Sequence, residues 1–117
     1  IIAHPTNVMA FGVTKTEIDS RTIPESYINM RSVQSVPFGS SITDIEKTAS
    51  MISNHSPVLL VENDCVIVGG TSLINAFDRL EVTDFTAKTL IQAKQLGTPV
   101  RISDEEVEVI NKVFHLK

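Results

Sequence analysis

Short β-branched apolar runs alternate along this chain with stretches of helical periodicity. Ile1-Ile2-Ala3 reads as the tail of a strand, and Val33–Val36 as a weaker one closed by Pro37 and Gly39. Val58–Val61 and 66–68 are two more, joined through 62–65 as a hairpin or a sharply bent strand and stopped by Gly69-Gly70. Pro5 suits the first turn of a short helix to about Phe11, because its missing N–H is not needed there. The polar stretch 14–24 reads as a surface loop. A second helix is expected from 41–43, with a capping box between Thr43 and Glu46, an apolar face of Ile45, Ala49 and Ile52, and an end at Asn54-His55-Ser56-Pro57. Thr71 or Ser72 caps the longest helix, which runs to about Leu96 before Gly97-Thr98-Pro99 and spans about 35 Å. Its expected apolar positions are Leu73, Phe77, Leu80, Ala87, Leu90 and Ile91. The last helix starts at Ser103 with a capping box to Glu106, a staple between Ile102 and Val107, and a face of Val107, Ile110 and Phe114.

The predicted order β-α-β-α-β-β-α-α is that of an α/β layer structure. So few strands do not cover a sheet's two faces well, so pairing with further strands or with another subunit is expected. Beginning in mid-strand, the chain is also expected to lack something upstream.

Composition narrows the classes. With 117 residues there is room for one domain or part of one. A net charge of -4 leaves no basic stripe for phosphate backbones, which argues against a nucleic-acid partner. No apolar run approaches the length of a membrane span, and Ile1-Ile2 has neither a charged leader nor a cleavage site. Cys65 is the only cysteine, which excludes an intrachain disulfide and favours a cytoplasmic setting.

Two polar clusters each follow an apolar run: His4-Pro5-Thr6-Asn7 and Glu62-Asn63-Asp64-Cys65. Ligands in open α/β sheets gather at the carboxyl ends of strands, so the pair forms a candidate site.

Six landmarks in order resemble the class II aldolase/adducin family. They are HPTNVMAF within residues 1–11, PESYI at 24–28, VPFGS at 36–40, PVLLVEND at 57–64, INAFDRLE at 74–81 and LGTPVRISDEEVE at 96–108. The pattern is nearest to rhamnulose- and fuculose-1-phosphate aldolases. The resemblance implies a three-layer α-β-α sandwich of which residues 1–117 form the C-terminal portion. It implies metal-assisted retro-aldol cleavage of a ketose 1-phosphate to dihydroxyacetone phosphate and an aldehyde, zinc or another divalent cation, and a homo-oligomer, commonly a tetramer. In that family two histidines of an H-x-H pair and a third in an N-H-G turn bind the metal. Here His4 holds the second position of the pair while Ile2 holds the first, and Asp64 stands where the third histidine belongs. Metal ligation thus falls to His4 and Asp64, and a catalytic carboxylate to Glu25 in PESYI. The family's glycine-rich phosphate loop and main catalytic glutamate have no counterpart in these residues. The alternative is a non-catalytic domain that keeps the fold for binding or assembly, as in adducin.

The structural alternatives are plain. His4 is otherwise a strand-end histidine bonded to backbone, Asp64 a turn residue, Glu25 an exposed carboxylate at a helix start, and Cys65 a small buried hydrophobe. His55 and His115 read as structural. The series Asp78, Arg79, Glu81, Asp84, Lys88 reads as a solvated helix face with i,i+4 pairs.

Overall fold

A computed structural model describes residues 1–116. Its elements are β1 (Ile2–Ala3), α1 (Thr6–Thr14), α2 (Pro24–Met30), β2 (Val33–Val36), α3 (Ser40–Thr43), α4 (Ile45–Ser50), β3 (Val58–Val61), β4 (Cys65–Val68), α5 (Leu73–Leu96) and α6 (Asp104–Val113). The strands form one sheet in the order β1-β4-β3-β2. β3 and β4 make an antiparallel hairpin, β2 lies parallel to β3, and β1 lies antiparallel to β4. It follows that β1, β2 and β3 all point the same way. Their carboxyl ends share one end of the sheet.

Alternation along the strands divides the core in two. Val58, Leu60, Val66 and Val68 face Val8 and Phe11 of α1, Met30 of α2, and Ala87 and Leu90 of α5. Leu59, Val61, Cys65 and Val36 face the other way, against Met51 and Ile52 beyond α4. Strands buried on both faces read as continuous apolar runs, as VLLV does. The result is a three-layer α-β-α arrangement, and the expected fold class holds.

Several local expectations are corrected. α2 falls partly in a stretch expected to be loop: Pro24 opens it, while Ser26 and Met30, one turn apart, face inward. Its inward position at Ser26 is polar, and so invisible to a search for apolar periodicity. The Ser26 hydroxyl shares a 2.6 Å hydrogen bond with the Thr86 hydroxyl of α5. The single helix expected after 41–43 is two short ones, broken at Asp44, whose φ of -141° and ψ of 51° leave helical space. The Thr43–Glu46 capping box does not form, because Thr43 Oγ1 donates to the Gly39 carbonyl at 3.0 Å instead. Ile45 and Ala49 stay exposed, and Thr48 is the buried residue of α4.

α5 is capped by Ser72, whose side chain accepts from the Asn75 N–H, and it ends at Gly97 as expected. Its buried stripe is Ala76, Thr83, Thr86, Ala87 and Leu90, whereas Leu73 and Phe77 are exposed. Small side chains let this helix approach the sheet closely. The two threonines return their hydroxyls to the carbonyls of Arg79 and Val82, which hides their polarity. The expected i,i+4 ion pairs are absent among the described residues. Arg79 donates to the Gly69 carbonyl at 2.8 Å, and Asp84 accepts from Asn7.

α6 carries the expected capping box, with the Ser103 side chain on the Glu106 N–H and the Glu106 side chain on the Ser103 N–H. Val107 is buried, but Phe114 is the helix's C-cap residue and half exposed. Hydrogen bonds from the Ser103 backbone N–H, then from its hydroxyl, hold the Glu106 carboxyl below the usual glutamate range. A lowered folded-state value means that the charged form favours the fold. That contribution is present above the ordinary carboxylate range and fades as pH falls through the lowered value. Ser103→Ala is expected to cost about 1 kcal/mol and to move the Glu106 titration, followed by carboxyl NMR, back up toward the ordinary range.

Candidate functional site at the carboxyl end of the sheet

Ala3 of β1 pairs with Val66 of β4, and β3 runs antiparallel to β4, so His4, which follows β1, and the β3–β4 turn lie at one end of the sheet. The sheet thus brings the two polar clusters to the same end, although Asn7 and Glu62 are far apart in the sequence. In the β3–β4 turn Asn63 adopts φ 57°, a left-handed conformation that asparagine tolerates better than most residues. Its N–H donates to the Gly12 carbonyl at 3.3 Å, and the Asp64 N–H donates to the Val61 carbonyl at 3.1 Å. The hairpin turn is thereby tied to α1, the helix that follows His4.

Two residues that the sequence did not single out hold this site. Ser41 Oγ donates to Asp64 Oδ2 at 3.2 Å. Asn7 Nδ2 donates to Asp84 Oδ2 at 3.1 Å, which fixes the start of α1 against α5, while Asp84 Oδ1 is buried without a partner among the described residues. No sequence signal marked Asp84, which sits in a series that resembles a solvated helix face. Ser41 reaches Asp64 only because Gly39, at φ 88°, starts a separate turn of helix there.

Next to the site, Ile2, Ser41, Ile45, Ile52 and Ile67 line a groove of about 170 Å³. Ile2 pairs directly with Ile67 and remains 67% exposed. Where the aldolase resemblance calls for a metal-binding histidine, this chain presents an apolar wall.

No hydrogen bond joins Glu25 to His4 or Asp64 among the described residues; Glu25 belongs to α2, the helix that meets α5 through the Ser26–Thr86 hydrogen bond. Glu25 is exposed at the first turn of α2, and among the described residues its carboxylate makes no hydrogen bond or ion pair. Tyr27 spends its hydroxyl on Asn111 Oδ1 at 2.9 Å, tying α2 to α6. Nor do the other histidines reach the site. His55 lies in the loop before β3, with Nδ1 3.4 Å from Arg31 Nη2, and His115 follows α6.

The donors do not fit a self-contained zinc site. Three protein ligands are usual for a catalytic zinc, yet no group of three or more His, Cys, Asp or Glu able to hold a metal gathers among the described residues. Cys65 is buried, and that burial pushes its thiol up, with the Asp64 charge adding to it.

Backbone geometry connects the chain to a solved structure. L-fuculose 1-phosphate aldolase superposes with a TM-score of 0.73 over 97% of this chain, at 22% identity. The fold is aldolase-like. The aldolase-like chain spans about half of that structure, 54% of its length. No family model matches the sequence, and no curated protein matches it either. No helix among the described residues is long and apolar enough to cross a membrane.

Proposed function

We propose that this aldolase-like chain forms part of a sugar-phosphate site and takes part in retro-aldol cleavage of a ketose 1-phosphate to dihydroxyacetone phosphate and an aldehyde. The observation that supports the reading is that the strand ends followed by His4 and by Glu62-Asn63-Asp64 lie at the same end of the sheet, in a fold shared with a sugar-phosphate aldolase. In such a cleavage a hydroxyl proton leaves the aldehyde half and the enediolate half takes up a proton. The His4 imidazole offers a ring nitrogen as hydrogen-bond partner or metal ligand. The Asp64 carboxylate, steadied by Ser41, is suited to accept from a sugar hydroxyl.

His4 and Asp64 would be two ligands of a zinc or other divalent site whose remaining donors come from outside these residues. Glu25 would assist proton transfer, and the protein would work as a homo-oligomer such as a tetramer. A cytoplasmic setting accords with sugar-phosphate metabolism. The test is release of dihydroxyacetone phosphate from L-fuculose and L-rhamnulose 1-phosphates by the full-length protein, with and without added divalent metal. Turnover is expected, falling about a hundredfold in His4→Ala.

A second reading, a non-catalytic binding or assembly domain, is favoured by one observation: the apolar groove at Ile2. Absence of turnover and of bound metal in the full-length protein would select it.

A further inference from the structure

We propose that the cavity walled by Arg21, Arg31 and Arg101 binds a small phosphate-bearing anion. It lies at the opposite end of the sheet from His4 and Asp64, because Arg31 and Ser32 directly precede β2, which runs parallel to β1 and β3. The cavity has a volume of about 320 Å³, within the range of small-molecule sites. Three guanidinium groups line it against two carboxylates, Glu17 and Asp19.

An ordinary explanation accounts for part of this arrangement. Asp19 Oδ2 pairs with Arg101 Nε at 2.6 Å, and Asp19 Oδ1 accepts from the Arg21 N–H at 3.0 Å. Arg21 Nη2 donates to the Ile102 carbonyl at 2.7 Å and to Asp104 Oδ1 at 2.8 Å. Those contacts clamp the loop before α2 to the segment before α6. Two features are left over. Three arginines against two carboxylates leave the cavity wall with a net positive charge. Arg31 has no carboxylate partner among the described residues, only His55 Nδ1 at 3.4 Å.

The backbone of Arg31 adds a third observation. At φ 52° and ψ -85° it occupies a conformation that costs a non-glycine residue strain. It is held there by the Ser20 hydroxyl donating to its carbonyl at 2.5 Å and by its own N–H donating to Tyr27 at 2.8 Å. A phosphate in the cavity offers acceptor oxygens to the Arg31 fork, in the charge-assisted geometry that arginine favours.

The test is titration of the full-length protein with inorganic phosphate, read by calorimetry and by amide NMR shifts at Ser32 and Val33. Saturable shifts at Ser32 and Val33 are expected, their affinity weakened about tenfold by Arg31→Gln and unchanged by His4→Ala. Acetate at matched ionic strength should not produce them. No saturable binding, equal affinity in folded Arg31→Gln, or loss of binding in His4→Ala would overturn the proposal. Should Arg31→Gln fail to fold, the wild-type shifts decide: phosphate-dependent movement at Ser32 and Val33 supports the site, and its absence overturns it. Aldol turnover does not enter these readouts, so either proposal can fail alone.

Discussion

Leu60→Ala is expected to destabilise the protein by about 3 kcal/mol and to lower Tm by roughly 10 °C or more. Leu60 is 1% exposed in the centre of β3. A Cβ placed on Gly12 would touch its Cδ1 at 3.4 Å, so α1 rests almost directly upon it. Removing the isobutyl group leaves a cavity under that helix, which cannot collapse freely while the Asn63 N–H is bound to the Gly12 carbonyl. The loss reaches the site as well as the core, because α1 sets the position of Asn7 and follows His4. Leu96→Ala serves as the control: at 92% exposure, its replacement should change stability by no more than about 0.5 kcal/mol. Thermal or urea unfolding of the two variants beside the parent measures both effects.

Gly70→Ala should destabilise by about 2–3 kcal/mol for a different reason. A Cβ there would stand 2.6 Å from the Ala76 backbone nitrogen and 3.0 Å from its Cα, with Asn75 Oδ1 at 2.8 Å. The Ala76 backbone cannot swing aside as a side chain would, so the link between β4 and α5 must move. That link is otherwise fixed by Arg79 on the Gly69 carbonyl and by the Thr71 N–H on Asn75 Oδ1. Gly97→Ala is the matched control. Its φ of 170° is extended and nothing lies within 4 Å of the added carbon, so a change near zero or a slight gain is expected. Urea denaturation with midpoints compared at constant m distinguishes the pair.

The strands were readable because β-branched runs bounded by glycine and proline have few alternatives. Val58–Val61 carries its burial in its composition. Capping signals succeeded where the cap and its partner lie in one continuous helix, as at Ser72 and Ser103. They failed at Thr43, where Gly39 starts an earlier turn and its carbonyl takes the hydroxyl. The face of α5 was read correctly at Leu80, Ala87, Leu90 and Ile91 and misjudged at Leu73 and Phe77, because periodicity was read from large side chains. Its packed stripe is mainly alanine and threonine, residues whose burial depends on what lies opposite.

The site shows the same division. His4 and Asp64 were legible as polar clusters at strand ends, and the antiparallel register of β1 on β4 brings those ends together. Glu25 rested on resemblance alone, and its exposed place in the first turn of α2 is all that the fold adds. Asp84 and Ser41 enter only through tertiary contacts, Asn7 to Asp84 and Ser41 to Asp64, which no local pattern encodes.

The central claim is that the end of the sheet bearing His4 and Asp64 receives a sugar phosphate. Amide NMR of the full-length protein titrated with dihydroxyacetone phosphate tests it most directly. Saturable shifts at His4, Thr6, Asn7, Ser41, Asn63 and Asp64, abolished in His4→Ala while the variant stays folded, are the predicted result. Silence at those positions, or the same shifts with His4 removed, would contradict the claim.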